Sequence, residues 1–454
     1  MTDKEIISQQ SATIAGLRSK IADLEEKLQI VLETLASASV KKDSSNSGIP
    51  PSKDIARKTQ SLRKKSNKPS GGQLGHKGSN LKMVAIPDEV EDLQPRFCKQ
   101  CGRSFSQEAL FYQKSRQALD IAPVQSCVKE YRQYAGTCSC GAHQEAEFPS
   151  GVNAPVQYGK NIEAMVGYLS VNQHIPYKRM TGLLSDLFGI SLSEGTVDNM
   201  LHRLSAKASP LYEAIKEKLH QSQQNVGSDE TSCSVNGKKQ WAWVWQNEQY
   251  CYLTISHNRG YDTVGAHFPK GFPNATLTSD RWAAQLKTMA KQHQICLVHI
   301  IRELNYLEAL EKHNFSIGLR ALFQKAIHTK KQYQVLKYDS AITRQLEEKL
   351  NVLLKQTIPK DKYPQTATLQ KSLIKLRGYI FPFLYYQDVR ADNNASERSI
   401  RTIKVKMKIS GMFKSGQHVY ATLMSVTQTL KKQGQNIFEA FCNIASLNLQ
   451  DQTY

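Results

Sequence analysis

No stretch of the 454 residues is apolar for long enough to cross a bilayer, and no basic segment leading into an apolar core stands at the N-terminus. Neither a membrane span nor a secretory leader is therefore expected. Acids are scarce: 40 Asp and Glu stand against 60 Lys and Arg, which leaves a formal charge of +20. Such an excess points to a polyanionic partner, nucleic acid before membrane. Nine cysteines are too few and too uneven in number for a disulfide framework, and four of them, Cys98, Cys101, Cys138 and Cys140, crowd into one segment. That usage fits a reduced compartment and a metal site, so the protein is expected in the cytoplasm, beside the nucleoid. A phosphate-binding loop is missing too, because Gly71-Gly-Gln-Leu-Gly-His-Lys77 is not followed by Lys-Ser or Lys-Thr. The length exceeds one compact core and implies two to four units.

What is present falls into distinct segments. Ile7, Ile14, Ile21, Leu28 and Leu35 alternate with Leu17, Leu24 and Val31 as the a and d positions of a coiled coil over residues 1–40, with Gln10 the polar d residue. β-branched a with Leu d favours a parallel pairing, hence a homodimer or higher assembly. Residues 41–90 form a basic arm lacking apolar periodicity; over 41–82 there are eleven Lys or Arg against Asp43 and Asp54. Such a segment cannot bury enough surface to fold alone and suits phosphate contact or a solvated linker. Over 91–150, Cys98-Lys-Gln-Cys101-Gly102 and Cys138-Ser-Cys140-Gly141 are two knuckles spaced by 36 residues. They predict a zinc-ribbon-like module with structural Zn²⁺, in which His143 is an alternative ligand. Residues 151–222 return to helical periodicity. Met180 to Arg203 reads as helix, Gly189 turn and Ser193-capped second helix, a helix-turn-helix that would offer Ser193, Thr196, Asn199 and Arg203 to DNA. A plain helical hairpin reads the same way.

From Gln223 the period changes to two. Asn225 to Asp229, Gln240 to Trp245 and Gln249 to Ile255 read as strands, with Trp241, Trp243 and Trp245 on one face under covering helices. A further strand, Ala275 to Ser279, ends on Asp280; a helix from Trp282 to about Gln292 and a strand from Ile295 to Val298 are expected after it. Residues 300–378 read as a helical insertion. The stretch Ala391 to Lys408 is a helix that places Glu397, Arg401, Lys404 and Lys408 on one stripe. Asn394 and Glu397 could equally form a capping box. Asp229 and Asp280 at strand ends, with Glu397 on the later helix, make a three-carboxylate set suited to two Mg²⁺ ions, for which Mn²⁺ can substitute. Arg398, Arg401, Lys404 and Lys408 would hold the DNA backbone beside them.

Taken together, Val226-Gly-Ser-Asp-Glu-Thr231, Ser279-Asp280, Cys296-Leu-Val-His299-Ile-Ile-Arg302 and Asp392-Asn-Asn-Ala-Ser-Glu-Arg398, behind the Gly-rich arm and the knuckles, resemble the insertion sequence 66 family of bacterial DDE transposases. The likeness covers nearly the whole chain. It implies a multidomain α+β protein whose residues 223–432 form an RNase H-like α/β catalytic core with a helical insertion, followed by a helical tail over 433–454. It also implies Asp229, Asp280 and Glu397 as the DDE triad, double-stranded DNA as partner, at the element's inverted repeats and at the target, and small accessory proteins of the same element. The chain departs from the family pattern at Arg281-Trp282, where Gly-Tyr is usual, and at Ile300-Ile301, where a pair of Arg is usual. Cys296 and His299 resemble a support motif of related transposases; as a two-ligand metal site they are incomplete, and core packing is the default reading. A DNA-binding repressor that keeps the fold without the chemistry, and a zinc-ribbon nuclease without strand transfer, are the alternative functions.

Overall fold

The computed structural model describes residues 13–29, 75, 81–121, 126–333 and 338–447. The remainder of the heptad segment and nearly all of the basic arm up to residue 80 lie outside the described residues. Helix α1 covers residues 13–29, and its apolar stripe of Ile14, Leu17, Ile21, Leu24 and Leu28 is more than half exposed in the single chain. Strands β1 (Ala135–Thr137) and β2 (His143–Glu145) pair antiparallel, with Cys138 and Cys140 in the turn between them.

Helices α2 (Lys160–Gly167), α3 (Tyr177–Phe188) and α4 (Glu194–His220) come next. Gly189 ends α3 in the left-handed conformation (φ +64°), where an L side chain would meet its own backbone. Ser193 starts α4 by accepting the Thr196 N–H. Helix α4 runs well beyond a short recognition helix. Its Leu204, Ala208, Ile215 and Leu219 join the same apolar cluster as the sheet, so the helical segment and the sheet share one core.

The sheet is built from β3 (Val226–Val235), β4 (Lys238–Gln246), β5 (Cys251–Ser256), β6 (Phe272–Ser279) and β7 (Ala290–Ile295), in the order β5-β4-β3-β6-β7. The first three form an antiparallel meander; β6 and β7 then join parallel to β3 and to each other. Helices α5 (Tyr261–His267) and α6 (Ala283–Leu286) lie in the connections. The expected helix from Trp282 to Gln292 is thus one short turn succeeded by a strand. Pairing with β6 overrides the weak pattern of Ala-Lys-Gln-His-Gln-Ile, and the chain is already helical at Leu297. Trp243 and Trp245 are buried and stacked, 5.7 Å between rings, against Phe268. Their alternation partner Val244 faces the opposite side and packs with Cys251 on Ile400.

Helices α7 (Leu297–Leu310), α8 (Asn314–Tyr333), α9 (Ser340–Leu354), α10 (Pro364–Lys375) and α11 (Pro382–Tyr385) form a second apolar cluster of their own between β7 and the next helix. Helix α12 (Asn394–Ser410) then returns to the sheet, and α13 (Gln417–Lys432) and α14 (Ile437–Ala445) complete the first cluster. The outer edge of β5 is closed by α13, since Thr429 Oγ1 accepts from the Cys251 N–H at 3.0 Å and Ser425 Oγ from the Leu253 N–H at 2.8 Å. Two strand residues and four helix residues both advance about 6–7 Å, so alternate edge amides meet successive turns. Among the described residues no helix is long and apolar enough to cross a membrane.

Candidate active site

Three elements deliver the acids. Gly227 pairs with Thr278 in the parallel β3–β6 ladder, so two residues further on Asp229 stands level with Asp280. Asp229 is not at a strand end: β3 continues six residues past it, because the segment to Val235 finds a hairpin partner in β4. Asp280 comes directly after the last residue of β6, which the Cys296 N–H fixes by donating to Ser279 O at 2.9 Å. Glu397 lies in the first turn of α12.

The start of α12 is tied to both strands. Asn393 donates through Nδ2 to Ser228 O at 2.7 Å, next to Asp229, while its own backbone N–H meets Cys296 Sγ at 3.3 Å. Leu297 N donates to Ala391 O at 2.8 Å. The turn thus aims Glu397 by gripping the backbone beside the two aspartates. No capping box forms. Asn394 is already helical, its N–H taken by Asp392 Oδ1 at 3.0 Å, and Asn393 at the N-cap has spent its side chain on β3. The close approach depends on Gly227, where a Cβ would stand 2.3 Å from Ser396 Oγ.

Electrostatically the site holds an excess of negative charge. The Asp229 carboxyl is pushed well above the usual range, first by burial and then by the charges of Asp280, Glu230 and Glu397. His299, read from sequence as packing, instead stands between two of the acids. Its Nδ1 is 2.8 Å from Asp280 Oδ1, off the hydrogen-bonding direction, and its Nε2 is 3.8 Å from Glu397 Oε1. Burial alone would lower the imidazole; Asp280 and Cys296 reverse that and push it up to about 11. Asp280 Oδ1, Glu397 Oε1 and His299 Nδ1 are all buried without a directed hydrogen bond. Unpaired carboxylate oxygens beside a buried acid are a donor set that could hold a divalent cation.

Glu230, beside Asp229, is handled differently. Its buried carboxylate receives Arg259 Nε and Nη2 at 3.1 and 2.8 Å on one oxygen and Gln285 Nε2 at 2.8 Å on the other. The guanidinium is held over Trp282, 3.7 Å to the ring, and near Trp241 at 4.6 Å. Trp282 also donates its indole N–H to Arg259 O, and Arg281 pairs with Glu303, so both residues of the Arg281-Trp282 departure have local partners. Arg259→Ala strands Glu230 beside Asp229 and is expected to cost about 2–3 kcal/mol, less than a fully buried pair because the arginine is partly exposed. Urea denaturation checks this. Arg259→Lys should recover little of it, since the fork and the stacking are both lost; an unchanged midpoint for Arg259→Ala refutes the pairing as a stabilising element.

The basic stripe divides. Arg398, Arg401 and Lys408 are exposed, whereas Lys404 Nζ donates to Ser232 O and Ser232 Oγ and so clamps α12 onto β3. In the helical pair, Asn199 is exposed and Thr196 half-buried. Ser193 serves as the cap, and Arg203 reaches the buried Glu163 of α2 at 3.3 Å. At the knuckles, Gly102 (φ +74°) and Gly141 (φ +89°) close turns in which Gly102 N donates to Cys98 O and Gly141 N to Cys138 O, each at 2.8 Å. Hydrogen bonds from the Gln100 and Cys101 backbone lower the Cys98 thiol, and those from Cys140 lower Cys138. No three of the four cysteine sulfurs lie within 4.8 Å of one another. Among the described residues, the one group of three or more candidate ligands within reach of each other is Asp280, Cys296 and His299.

No curated protein matches the sequence. Residues 155–419 match the family model described as Transposase IS66 family.

Proposed function

The chain belongs to the IS66 family of transposases, and from that membership and the geometry of the acids we propose that it binds the terminal inverted repeats of an insertion sequence and catalyses metal-dependent DNA cleavage and strand transfer. What supports this reading is that Asp229 stands level with Asp280 on adjacent parallel strands and is raised by the charges of Asp280 and Glu397, the latter at a helix start tied to β3, with buried carboxylate oxygens left unpaired. The sheet order, with helices α7 to α11 inserted before α12, supports an RNase H-like core. The gathered acids also disfavour the repressor reading.

Asp229, Asp280 and Glu397 would hold the metal. Two Mg²⁺ ions, or Mn²⁺, supply Lewis-acid stabilisation of the entering and leaving oxygens in an in-line phosphoryl displacement. The protein's own contribution is placement. Asn393 fixes the distance between β3 and α12; His299 steadies Asp280 and faces Glu397; Arg398, Arg401 and Lys408 hold the phosphate backbone on the exposed flank of α12. Lys404 acts through the protein, keeping the helix seated. Asn199 and Thr196 on α4 are the residues of the helical pair left to face DNA, and Ser193 and Arg203 support them. Cys98, Cys101, Cys138 and Cys140 have zinc-knuckle donor chemistry and would hold one structural Zn²⁺, which would tie the module together. Helix α1, with its exposed apolar stripe, pairs protomers so that two element ends are processed in one assembly, and small accessory proteins of the same element are further partners. The chain acts in the cytoplasm, on the nucleoid.

The test is the purified full chain with a labelled duplex carrying one element end. Nicking at the end with Mg²⁺ or Mn²⁺, abolished by EDTA and succeeded by joining of the 3′ end into a second duplex, is the expected result. Tight binding of the end without any cutting in either metal would overturn the proposal, and cutting without joining would reduce it to a nuclease.

A further inference from the structure

Asp280, Cys296 and His299 offer one carboxylate oxygen, one thiol sulfur and one imidazole nitrogen, all within 4.8 Å of one another. We propose that these three residues form a binding site for a soft divalent transition ion of the Zn²⁺ class, distinct in ligand set from the three-carboxylate site and sharing only Asp280 with it. Mixed oxygen, sulfur and nitrogen donors select Zn²⁺, Co²⁺ or Cd²⁺ over Mg²⁺, which takes oxygen ligands and retains its waters. Three protein ligands leave a fourth position open.

The surroundings are those of a built site. Cys296 is the residue before α7 and His299 lies in the first turn of that helix, so thiol and imidazole come off one turn at i and i+3. Asp280 is carried to them by the Cys296 N–H bond to Ser279 O. The sulfur is buried, accepts the Asn393 N–H, and has no disulfide partner. Asp280 Oδ1 and His299 Nδ1, the two atoms 2.8 Å apart, are the buried pair that lacks a directed hydrogen bond. Donors on a tetrahedral zinc are about 3.3–3.8 Å apart, within reach of small side-chain rotations from these positions. The outer partner is also in place. A ligating imidazole commonly passes its second N–H to a carboxylate, and here Nε2 faces Glu397 at 3.8 Å. One ion at this site would therefore engage Asp280 directly and Glu397 through His299, withholding both from the carboxylate set. That consequence rests on the reading of the three acids as the catalytic centre; the binding itself does not.

Binding is read with Co²⁺, whose thiolate charge-transfer band reports sulfur ligation, on the full-length chain with Cys98, Cys101, Cys138 and Cys140 changed to Ser to silence the knuckles. With the fold verified by circular dichroism, this chain is expected to take up Co²⁺ with a single-thiolate band, and Cys296→Ala or His299→Asn on that background should remove it. Co²⁺ uptake without the band, or a band that survives Cys296→Ala, overturns the proposal. If the knuckle variant does not fold, Cys296→Ala in the otherwise unaltered chain decides: loss of one thiolate's share of the band supports the site and an unchanged band refutes it. With the full-length chain, one equivalent of Zn²⁺ beyond that taken by the knuckles should in addition lower Mg²⁺-supported nicking by about tenfold or more, restored by a zinc chelator in excess Mg²⁺. Thiolate ligation without inhibition would leave the site standing and count against Asp280 as a catalytic ligand; inhibition without ligation would count against the site.

Discussion

Asp229→Asn is expected to abolish end cleavage, by about 10³-fold or more, and at the same time to make the metal-free protein more stable than the wild type by about 1–2 kcal/mol. Both effects have one cause. Asp229 is sunk among Asp280, Glu230 and Glu397, and burial with those charges raises its pKa. An acid whose folded pKa lies above its unfolded value contributes stability that is complete below the unfolded value, near the ordinary carboxylate range, and is lost as pH rises through the folded value. Ionising this buried carboxyl in the metal-free wild type therefore costs stability, and a divalent ion offsets that cost. The amide keeps the shape and removes the charge. Melting curves in EDTA should show the wild-type midpoint falling as pH is raised above the carboxylate range, with a shallower fall for Asp229→Asn. Mg²⁺ should raise the wild-type midpoint most at the high-pH end and leave the variant nearly unmoved. A variant melting at or below the wild type at neutral pH, or still shifted by Mg²⁺ as strongly, would remove Asp229 from the cation site.

The parts of this site that can be read in the sequence are those fixed by local pattern. Strand β6 announces itself by the alternating, Thr-rich run Ala275-Thr-Leu-Thr-Ser279, so Asp280 is placed at its end, and the Asp392-Asn-Asn turn marks where α12 starts and hence where Glu397 falls. What stays hidden is set by pairing between segments far apart in the chain. A helical wheel puts Lys404 with Arg401 and Lys408 on one basic stripe, but only the packed structure shows Ser232 O taking its charge. His299 reads as a core histidine on an apolar helix because Asp280 and Glu397, the groups that give it a role, lie 19 residues before it and 98 after it. The Cys-x-x-His spacing marks the pair in the sequence, but not the acids that it faces. Strand β7, expected from Ile295 to Val298, begins earlier, at Ala290, for a related reason: Ala-Lys-Gln-His-Gln-Ile has little apolar content, and its burial comes from β6 on one side and from Gln294 holding Ile380 O and the Phe383 N–H on the other.

Gly227→Ala is the second substitution with a large expected effect, and it tests the grip of α12 on β3 without touching any acid. Gly227 does not have the positive φ that reserves a position for glycine, so the cost of alanine there is one of space. An added Cβ would stand 2.3 Å from Ser396 Oγ, 2.8 Å from Gln246 Nε2 and 3.2 Å from Asn393 Oδ1. Ser396 is a short, fully buried side chain on the first turn of α12 and cannot swing away. Gln246 is held by Lys432 Nζ at 2.7 Å, and Asn393 by Ser228 O. Helix α12 must therefore lift, carrying Glu397 from Asp229 and Asp280 and breaking the Asn393 bond. Overpacking of this kind costs about 1–3 kcal/mol, and a displacement of about 1 Å at a catalytic group costs about 10²-fold in rate. Adding Ser396→Ala removes the nearest obstacle, so the double variant should recover part of both the stability and the nicking rate, a positive coupling in a double-mutant cycle. Ser396→Ala alone should stay within about tenfold of the wild-type rate, because Asn393 still spans the gap. Strictly additive effects would mean that the two residues do not meet, and a fully active Gly227→Ala chain would show that the separation of β3 and α12 does not govern where Glu397 points.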